Sequence, residues 1–163
     1  MPDRAVRSAG AGSDPELGAL LQTEAETWVA CARAIDQLGA GRSDVRDADG
    51  WSVADVCHHI AGWMDRACAV VEHNAGWGSE WELDTDRSTD EVNAGFLAAS
   101  RDLSFDDARL ELDEARARLR LAVTSLASPS DMAKRTFGDS TTEHYEEHLP
   151  MLERLTGSGG SVA

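Results

Sequence analysis

The chain has few basic residues. Its 163 residues include 15 Lys+Arg against 30 Asp+Glu, a formal net charge of −15, and its one lysine is Lys134. Nucleic acids and anionic membrane surfaces both attract proteins mainly through cationic side chains. We therefore expect no nucleic acid and no membrane among the partners of this protein.

The sequence also lacks long apolar runs and a cysteine framework. It has no stretch of about 20 apolar residues that could span a bilayer, and residues 1–12 contain arginines without the apolar segment of a signal peptide. The three cysteines, Cys31, Cys57 and Cys68, are odd in number and lack metal-knuckle spacing. We interpret them as small buried residues of a cytoplasmic protein. A functional thiol at Cys57, two residues from His59, is the alternative.

Helical periodicity takes the place of these missing features. Apolar residues recur at spacings of three and four in five segments, one of them short, and no segment shows a convincing strand pattern. This predicts an all-α four-helix bundle with one additional short helix. We expect one domain over residues 13–156, a disordered N-terminus at 1–12 and a flexible C-terminal tail at 157–163.

Serine–acid pairs indicate where the helices begin. Capping boxes are predicted at Ser13/Glu16, Ser52/Asp55 and Ser140/Glu143. The second helix is expected to end near His73. Loops are predicted at residues 39–50, 74–87 and 127–139.

Two histidines near the C-terminal end are the first candidates for chemistry. His144 and His148 are four residues apart, so a helix places them on one face, which Leu152 and Leu155 continue. Two inward imidazoles can hold one divalent metal ion. Two hydrogen-bonded core histidines would show the same spacing, so the spacing alone leaves both interpretations open. Tyr145 replaces the glutamate of a His-Glu-x-x-His metalloprotease pattern, which disfavours a peptidase.

The second predicted helix offers a third histidine. Its apolar stripe leaves His58 nearly opposite the core, whereas His59 lies about a quarter-turn from the centre of the stripe, beside Trp63. His58 is therefore predicted at the surface, and His59 can reach a seam between helices. We predict a metal site formed by His59, His144 and His148.

Aromatic and acidic residues near these histidines are candidates for substrate contact. Trp63 and the loop residues Trp77 and Trp81 are predicted to line a substrate pocket, and the alternative for the two loop tryptophans is that they close the end of the bundle. Tyr145 and Glu147 are candidates for proton transfer, with ordinary cap or surface roles as the alternative.

Two leucines of the long fourth helix fall away from its apolar stripe. Leu110 and Leu121 lie on the far side of that helix. We expect them to contact either the short third helix or a second subunit, so a homodimer is plausible.

Two motifs resemble those of the DinB-like superfamily. Trp51-Ser52-Val53-Ala54-Asp55, followed by the helical His59 and by Trp63, is similar to its second-helix motif. His144-x-x-x-His148 looks like its last-helix motif. The stretch from Val92 to Leu103 is similar to the ClbS/DfsB branch, and the N-terminal domain of mycothiol-dependent maleylpyruvate isomerases is the other branch considered. The resemblance covers roughly residues 14–156.

This resemblance implies a four-helix bundle whose three histidines hold a divalent metal, zinc first, with nickel or iron as alternatives. It implies a metal-dependent enzyme that activates water or a low-molecular-weight thiol, for instance mycothiol, to attack an electrophilic small molecule. Such a protein would be a hydrolase or a thiol S-transferase in detoxification or self-resistance. A non-catalytic protein that sequesters a reactive or hydrophobic small molecule is the alternative, and a metal-free interaction bundle is a third hypothesis.

Overall fold

The computed structural model describes residues 14–77 and 86–157, and these form a helical bundle. The helices are α1 (Pro15–Gly39), α2 (Val53–Trp77), α3 (Thr89–Ser100), α4 (Phe105–Thr124), α5 (Asp131–Gly138) and α6 (His144–Gly157). A π-helical turn, Asp139–Glu143, joins α5 to α6 without a break, so these form one composite last helix. The described ranges contain no β-strand, only an isolated bridge between Arg46 and Ser52. The all-α prediction is confirmed.

The packing places α2 near the centre of the bundle. It lies along α4 and also contacts α3 and the composite last helix, while α1 packs mainly against α6. Side chains from each of these long elements are fully buried, among them Ile35, Ile60, Leu112 and Leu152. Burying one such side chain stabilises the fold by about 1.5–3 kcal/mol. No described helix has the length and apolar character needed to cross a bilayer.

Hydrogen bonds at the helix starts confirm part of the capping analysis. The backbone N–H of Ser52 donates to Asp55 Oδ2 at 2.8 Å, and that of Asp55 donates to Ser52 Oγ at 3.2 Å, as a capping box requires. At α1 the N-cap is Asp14, and Ser13 of the predicted box lies outside the described residues. Asp14 Oδ1 accepts from the N–H groups of Glu16 and Leu17, because the cap directly precedes Pro15 in the first turn.

The start of the last helix differs from its prediction. Residues 127–139 were expected to form a loop, but α5 begins at Asp131, where Ser130 Oγ accepts from the N–H of Ala133 at 3.1 Å. Ala133 and Phe137, four residues apart, are buried. Two apolar residues were too few to show periodicity, although they fix this short helix in the core.

The predicted box at Ser140/Glu143 is also wrong, because the helix begins earlier in the chain, at Asp131. Both residues lie inside the π-helical turn, where the chain is already helical and needs no N-cap. The second helix likewise runs four residues beyond its expected end at His73, to Trp77.

The cysteines and the outward leucines lie where the stripes placed them. Cys31, Cys57 and Cys68 are free and buried. Burial raises the pKa of the Cys31 thiol to about 12 and that of Cys57 further still. These two thiols therefore remain protonated at neutral pH, which favours the interpretation as buried apolar residues. Leu110 and Leu121 are 57% and 67% exposed, so neither packs closely against α3, and a homodimer remains a prediction.

Candidate metal centre

Three histidines from two helices meet inside the bundle. His59 comes from α2, and His144 and His148 come from α6. The Nε2 atoms of His59 and His144 are 2.9 Å apart, and the three ring centroids are separated pairwise by 4.8, 4.9 and 4.9 Å. One ring nitrogen from each histidine lies within 4.8 Å of the other two. The three predicted ligands are thus brought together.

Aromatic side chains enclose the α2 member of this group. His59 is only 4% exposed, and the rings of Trp51 and Phe96 meet it edge-on at centroid distances of 5.2 and 6.0 Å. Phe96 reaches it from α3 because Gly62 leaves room: a Cβ at this position would lie 2.3 Å from the Phe96 ring. The second helix therefore supplies both a candidate ligand, His59, and the close approach of α3 at Gly62.

Two nitrogen atoms of this histidine cluster are buried without a hydrogen-bond partner. They are His59 Nδ1 and His148 Nε2. Most buried polar groups in folded proteins are partnered, so each exception calls for an explanation. A metal ion that takes one nitrogen lone pair from each ring would account for the convergence of the three histidines. It would also account for the missing hydrogen-bond partner of an unpartnered nitrogen that it ligates.

The environment keeps the imidazoles neutral. Burial, followed by the proximity of His144 and His148, lowers the pKa of His59 to about 3. Burial and the neighbouring His148 lower the pKa of His144 to about 4, and burial lowers that of His148. Only a neutral imidazole has a free lone pair for a metal, so the three rings are ready to ligate at neutral pH.

The donor set fits a divalent transition metal. Nitrogen ligands of tetrahedral zinc lie about 2.0–2.1 Å from the ion, and hence about 3.3 Å from one another. The observed separations bracket this value, since the shortest is 2.9 Å and none exceeds 4.8 Å. Three protein ligands leave a fourth position free, as in catalytic zinc sites. Imidazole also binds nickel, iron and copper, so the ligands do not select one metal.

A cavity of about 390 Å³ lies next to the histidines. It is lined by His59, Trp63, Thr89, Asn93, Thr136, Asp139, Ser140, His144 and Glu147. The Trp63 indole donates to Asn93 Oδ1 at 2.9 Å, and the Arg66 guanidinium lies 5.5 Å from the centre of its ring. These contacts fix Trp63 as one wall of the cavity, so a small molecule placed there would lie between an aromatic wall and the histidine cluster.

A family model described as the DinB superfamily matches residues 21–150, which is more than half of the chain. The chain belongs to the DinB superfamily. This superfamily includes metal-binding enzymes, and the helical bundle and the histidine cluster agree with membership. The match does not separate the ClbS/DfsB branch from the maleylpyruvate isomerase branch, so the branch remains a prediction. Comparisons with curated proteins and with solved structures gave no match.

Only some of the residues predicted to contact substrate or transfer protons in this DinB-superfamily chain line the cavity. Trp63 and Glu147 line the cavity. Tyr145 does not: its hydroxyl donates to Glu24 at 3.0 Å, and its ring lies against Trp28 with a centroid distance of 5.2 Å. Trp81 lies outside the described residues. Trp77 closes α2, but its side chain is likewise outside them.

His58 takes no part in the histidine cluster. Its Nδ1 lies 2.7 Å from Glu111 Oε2 of α4, and the side chain is 20% exposed. The residue predicted at the surface is therefore partly buried against a neighbouring helix. The helical wheel nevertheless assigned the adjacent histidines to different surroundings.

Sequence reasoning missed several polar residues of the cavity. Thr136, Asp139 and Ser140 line it from the composite last helix, and Thr89 and Asn93 line it from α3. A signal for the first group was present, because Ser140, His144 and His148 follow one another at spacings of four. The loop predicted over residues 127–139 separated Thr136 and Asp139 from that pattern, and Ser140 was interpreted only as a helix cap.

A second buried polar cluster was also missed. We define the Glu24 cluster as Glu24, Arg116, Arg120 and Tyr145. Glu24 is fully buried and accepts from Arg116 Nε at 2.6 Å, from Arg120 and from the Tyr145 hydroxyl. The signal was an acid seven residues before Cys31, within the apolar stripe of α1.

Proposed function

We propose that this DinB-superfamily chain is a metal-dependent enzyme that acts on an electrophilic small molecule. One divalent ion, zinc by first choice, would be held by His59, His144 and His148. The observation that carries the proposal is the meeting of three neutral imidazoles, two with an unpartnered nitrogen, beside a cavity large enough for a small substrate.

When bound, such an ion supplies Lewis acidity, which makes water or a small thiol nucleophilic at neutral pH. The chain's own residues do the rest. Trp63 and Asn93 form a fixed wall against which a substrate can be oriented. Trp51 and Phe96 exclude water from the buried side of His59. Glu147 also lines the cavity, where its carboxylate can accept a proton or pair with a cationic group of the substrate.

The reaction would be a hydrolysis or a thiol S-transfer, with mycothiol as a candidate co-substrate and detoxification or self-resistance as the biological role. We propose a cytoplasmic location, because the buried free cysteines suit a reducing compartment. Tyr145 has no part in this proposal, since its hydroxyl is engaged by Glu24.

Metal analysis of matched variants tests the centre. We expect about one metal ion per chain in the wild-type protein and almost none in His148→Ala, because two imidazoles hold zinc weakly. His58→Ala is the control, since it removes a neighbouring histidine that lies outside the cluster. A wild-type protein without stoichiometric metal after incubation with zinc, nickel or iron would support the metal-free bundle instead.

Turnover then separates catalysis from sequestration. Small electrophiles such as epoxides would be supplied in excess over the metal-loaded protein, with and without mycothiol. Product beyond one equivalent per chain establishes an enzyme, and the need for mycothiol separates transfer from hydrolysis. Capture limited to one equivalent would support the sequestration protein.

A further inference from the structure

The charged lining of the cavity has one sign. Apart from the histidines, its titratable residues are Asp139 and Glu147, and no lysine or arginine is among the described residues that line it. The three hydroxyl side chains and Asn93 that complete the polar lining carry no charge. Among the described lining residues, those that carry a full charge at neutral pH are therefore all negative.

The described part of the chain offers neither carboxylate a cationic partner. Within the described ranges, Asp139 and Glu147 form no ion pair with a lysine or arginine. The one lysine, Lys134, lies in the same composite helix but pairs with Asp14 and Glu16. Apart from the proposed metal ion, a cation that compensates these two carboxylates would have to come with the ligand.

The acidic wall belongs to the same cavity as two of the candidate metal ligands, His59 and His144. His59, which is 4% exposed and whose Nδ1 has no hydrogen-bond partner, lines the same cavity as the two acids. On the composite helix, Asp139 precedes His144 and Glu147 follows it by three residues, so the acids flank a candidate metal ligand. A molecule whose reacting end lies at the histidines would thus have its other end near Asp139 or Glu147.

We propose that this cavity selects substrates or co-substrates that carry a positively charged group, such as a primary ammonium, remote from the reacting atom. This rests on the proposed function, because the histidine-bound metal fixes the reacting end. Asp139 and Glu147 are then specificity-determining residues that attract the ammonium and repel carboxylate-bearing analogues.

Three small thiols of different tail charge can test this selection. Cobalt(II) loaded into the protein shows thiolate binding as a change in its visible absorption. The probes are cysteamine, which is cationic, 2-mercaptoethanol, which is neutral, and 3-mercaptopropionate, which is anionic. Their thiols differ in acidity, but that difference cancels when the same probes are compared between variants at one pH and ionic strength.

The deciding quantity is the affinity of cysteamine divided by that of 3-mercaptopropionate. We expect this ratio to fall at least about fivefold in the double variant Asp139→Asn/Glu147→Gln, since two nearby charges are removed. The matched control is Glu143→Gln/Glu146→Gln, which removes the same charge from exposed positions of the same composite helix that do not line the cavity. It should leave the ratio within about twofold.

The remaining outcomes are equally decisive. An unchanged ratio in the first variant, or an equal fall in the control, would overturn this inference, because selection would then be absent or due to net charge alone. Cobalt uptake without binding of any thiol would overturn it and leave the metal centre intact. No cobalt uptake by the wild-type protein would overturn both. Cobalt stoichiometry in each variant confirms that it is folded, and the two single substitutions should each give part of the effect.

Discussion

Two buried polar clusters share the last helix of this protein and differ in whether their polar atoms have hydrogen-bond partners. His144 belongs to the histidine cluster, whereas its neighbour Tyr145 belongs to the Glu24 cluster. In the Glu24 cluster the carboxylate accepts from two arginines and one tyrosine. In the histidine cluster two ring nitrogens are buried without a partner.

This difference separates a structural cluster from a ligand site. A buried polar group without a partner costs about 1–3 kcal/mol, so a fold does not accumulate such groups without reason. The Glu24 cluster uses its contacts to tie α1, α4 and α6 together, and Arg109 and Arg116 also lie over the Trp28 ring at 5.2 and 4.8 Å. The histidine cluster instead leaves His59 Nδ1 and His148 Nε2 unpartnered, as expected of a candidate ligand site.

The largest expected effect comes from breaking the structural cluster. Glu24→Ala leaves Arg116, Arg120 and Tyr145 without their shared acceptor, and we expect the free energy of unfolding to fall by about 3 kcal/mol or more. Denaturant unfolding measures this change. Glu26→Ala, which removes an exposed acid of the same helix, should change it by less than about 0.5 kcal/mol. A small effect at Glu24 would mean that this cluster is not structural.

Metal should stabilise the protein through the other cluster by a similar amount. At a zinc concentration 100 times the dissociation constant, binding adds about 2.7 kcal/mol to the free energy of unfolding. For a domain of this size that corresponds to a rise in Tm of about 5–10 °C. His59→Ala should abolish the rise in thermal unfolding experiments, whereas His58→Ala should retain it. Equal stabilisation of both variants would place the metal elsewhere.

Asp55 extends the comparison to a second partnered carboxylate and predicts a pH effect. Burial alone would raise its pKa, but hydrogen bonds from Ser100 and Ser52 and the charge of Arg46 hold the pKa below the usual 3.8. The folded state thus favours the ionised form. Its contribution to stability is complete at neutral pH and is lost as pH falls below about 4 through the folded pKa.

Unfolding free energies measured between pH 7 and pH 3 test this assignment. Asp55→Asn should reduce stability at pH 7 by about 1–2 kcal/mol and should show a shallower decline below pH 4 than the wild-type protein. Asp44→Asn, at an exposed position, is the control and should retain the wild-type decline. An identical decline in Asp55→Asn and wild type would contradict the assignment.

The smallest expected effect separates the neighbours Tyr145 and His144. Tyr145→Phe removes one hydrogen bond to Glu24 while keeping the ring, so we expect a loss of about 1 kcal/mol in unfolding free energy. Metal stoichiometry should not change, because the hydroxyl does not face the cavity. A loss of metal with unchanged unfolding free energy would instead indicate that Tyr145 contributes to the metal site.

The sequence was sufficient to identify the bundle and the three histidines. Helical periodicity places His144 and His148 on one face and separates His59 from His58, since burial of an apolar stripe dictates side-chain direction. It could not show the Glu24 cluster, whose partners Glu24 and Arg116 are 92 residues apart. A carboxylate in an apolar stripe signals that partners exist, but only packing decides which arginines reach it.

The beginning of the last helix was the other failure. α5 spans only Asp131–Gly138, and its two buried apolar residues, Ala133 and Phe137, leave little pattern to detect. Thr136 of the cavity wall lies on α5, and Asp139 and Ser140 lie on the π-helical turn that follows it, so these three residues were missed together with the helix. Exposed residues such as Asp139 follow no hydrophobic period that could mark their direction.

The π-helical turn Asp139–Glu143 makes this site sensitive to chain length as well as to residue identity. A π-turn contains one residue more than an α-helical turn of the same span. Deleting one residue there would allow a regular α-helix, but it would rotate α5 by about 100° relative to α6. Phe137 and Leu152, both fully buried, could then no longer face the core together. After a single-residue deletion between Asp139 and Glu143, the protein could therefore keep Phe137 of α5 in the core or keep His144 directed at the histidine cluster, but not both.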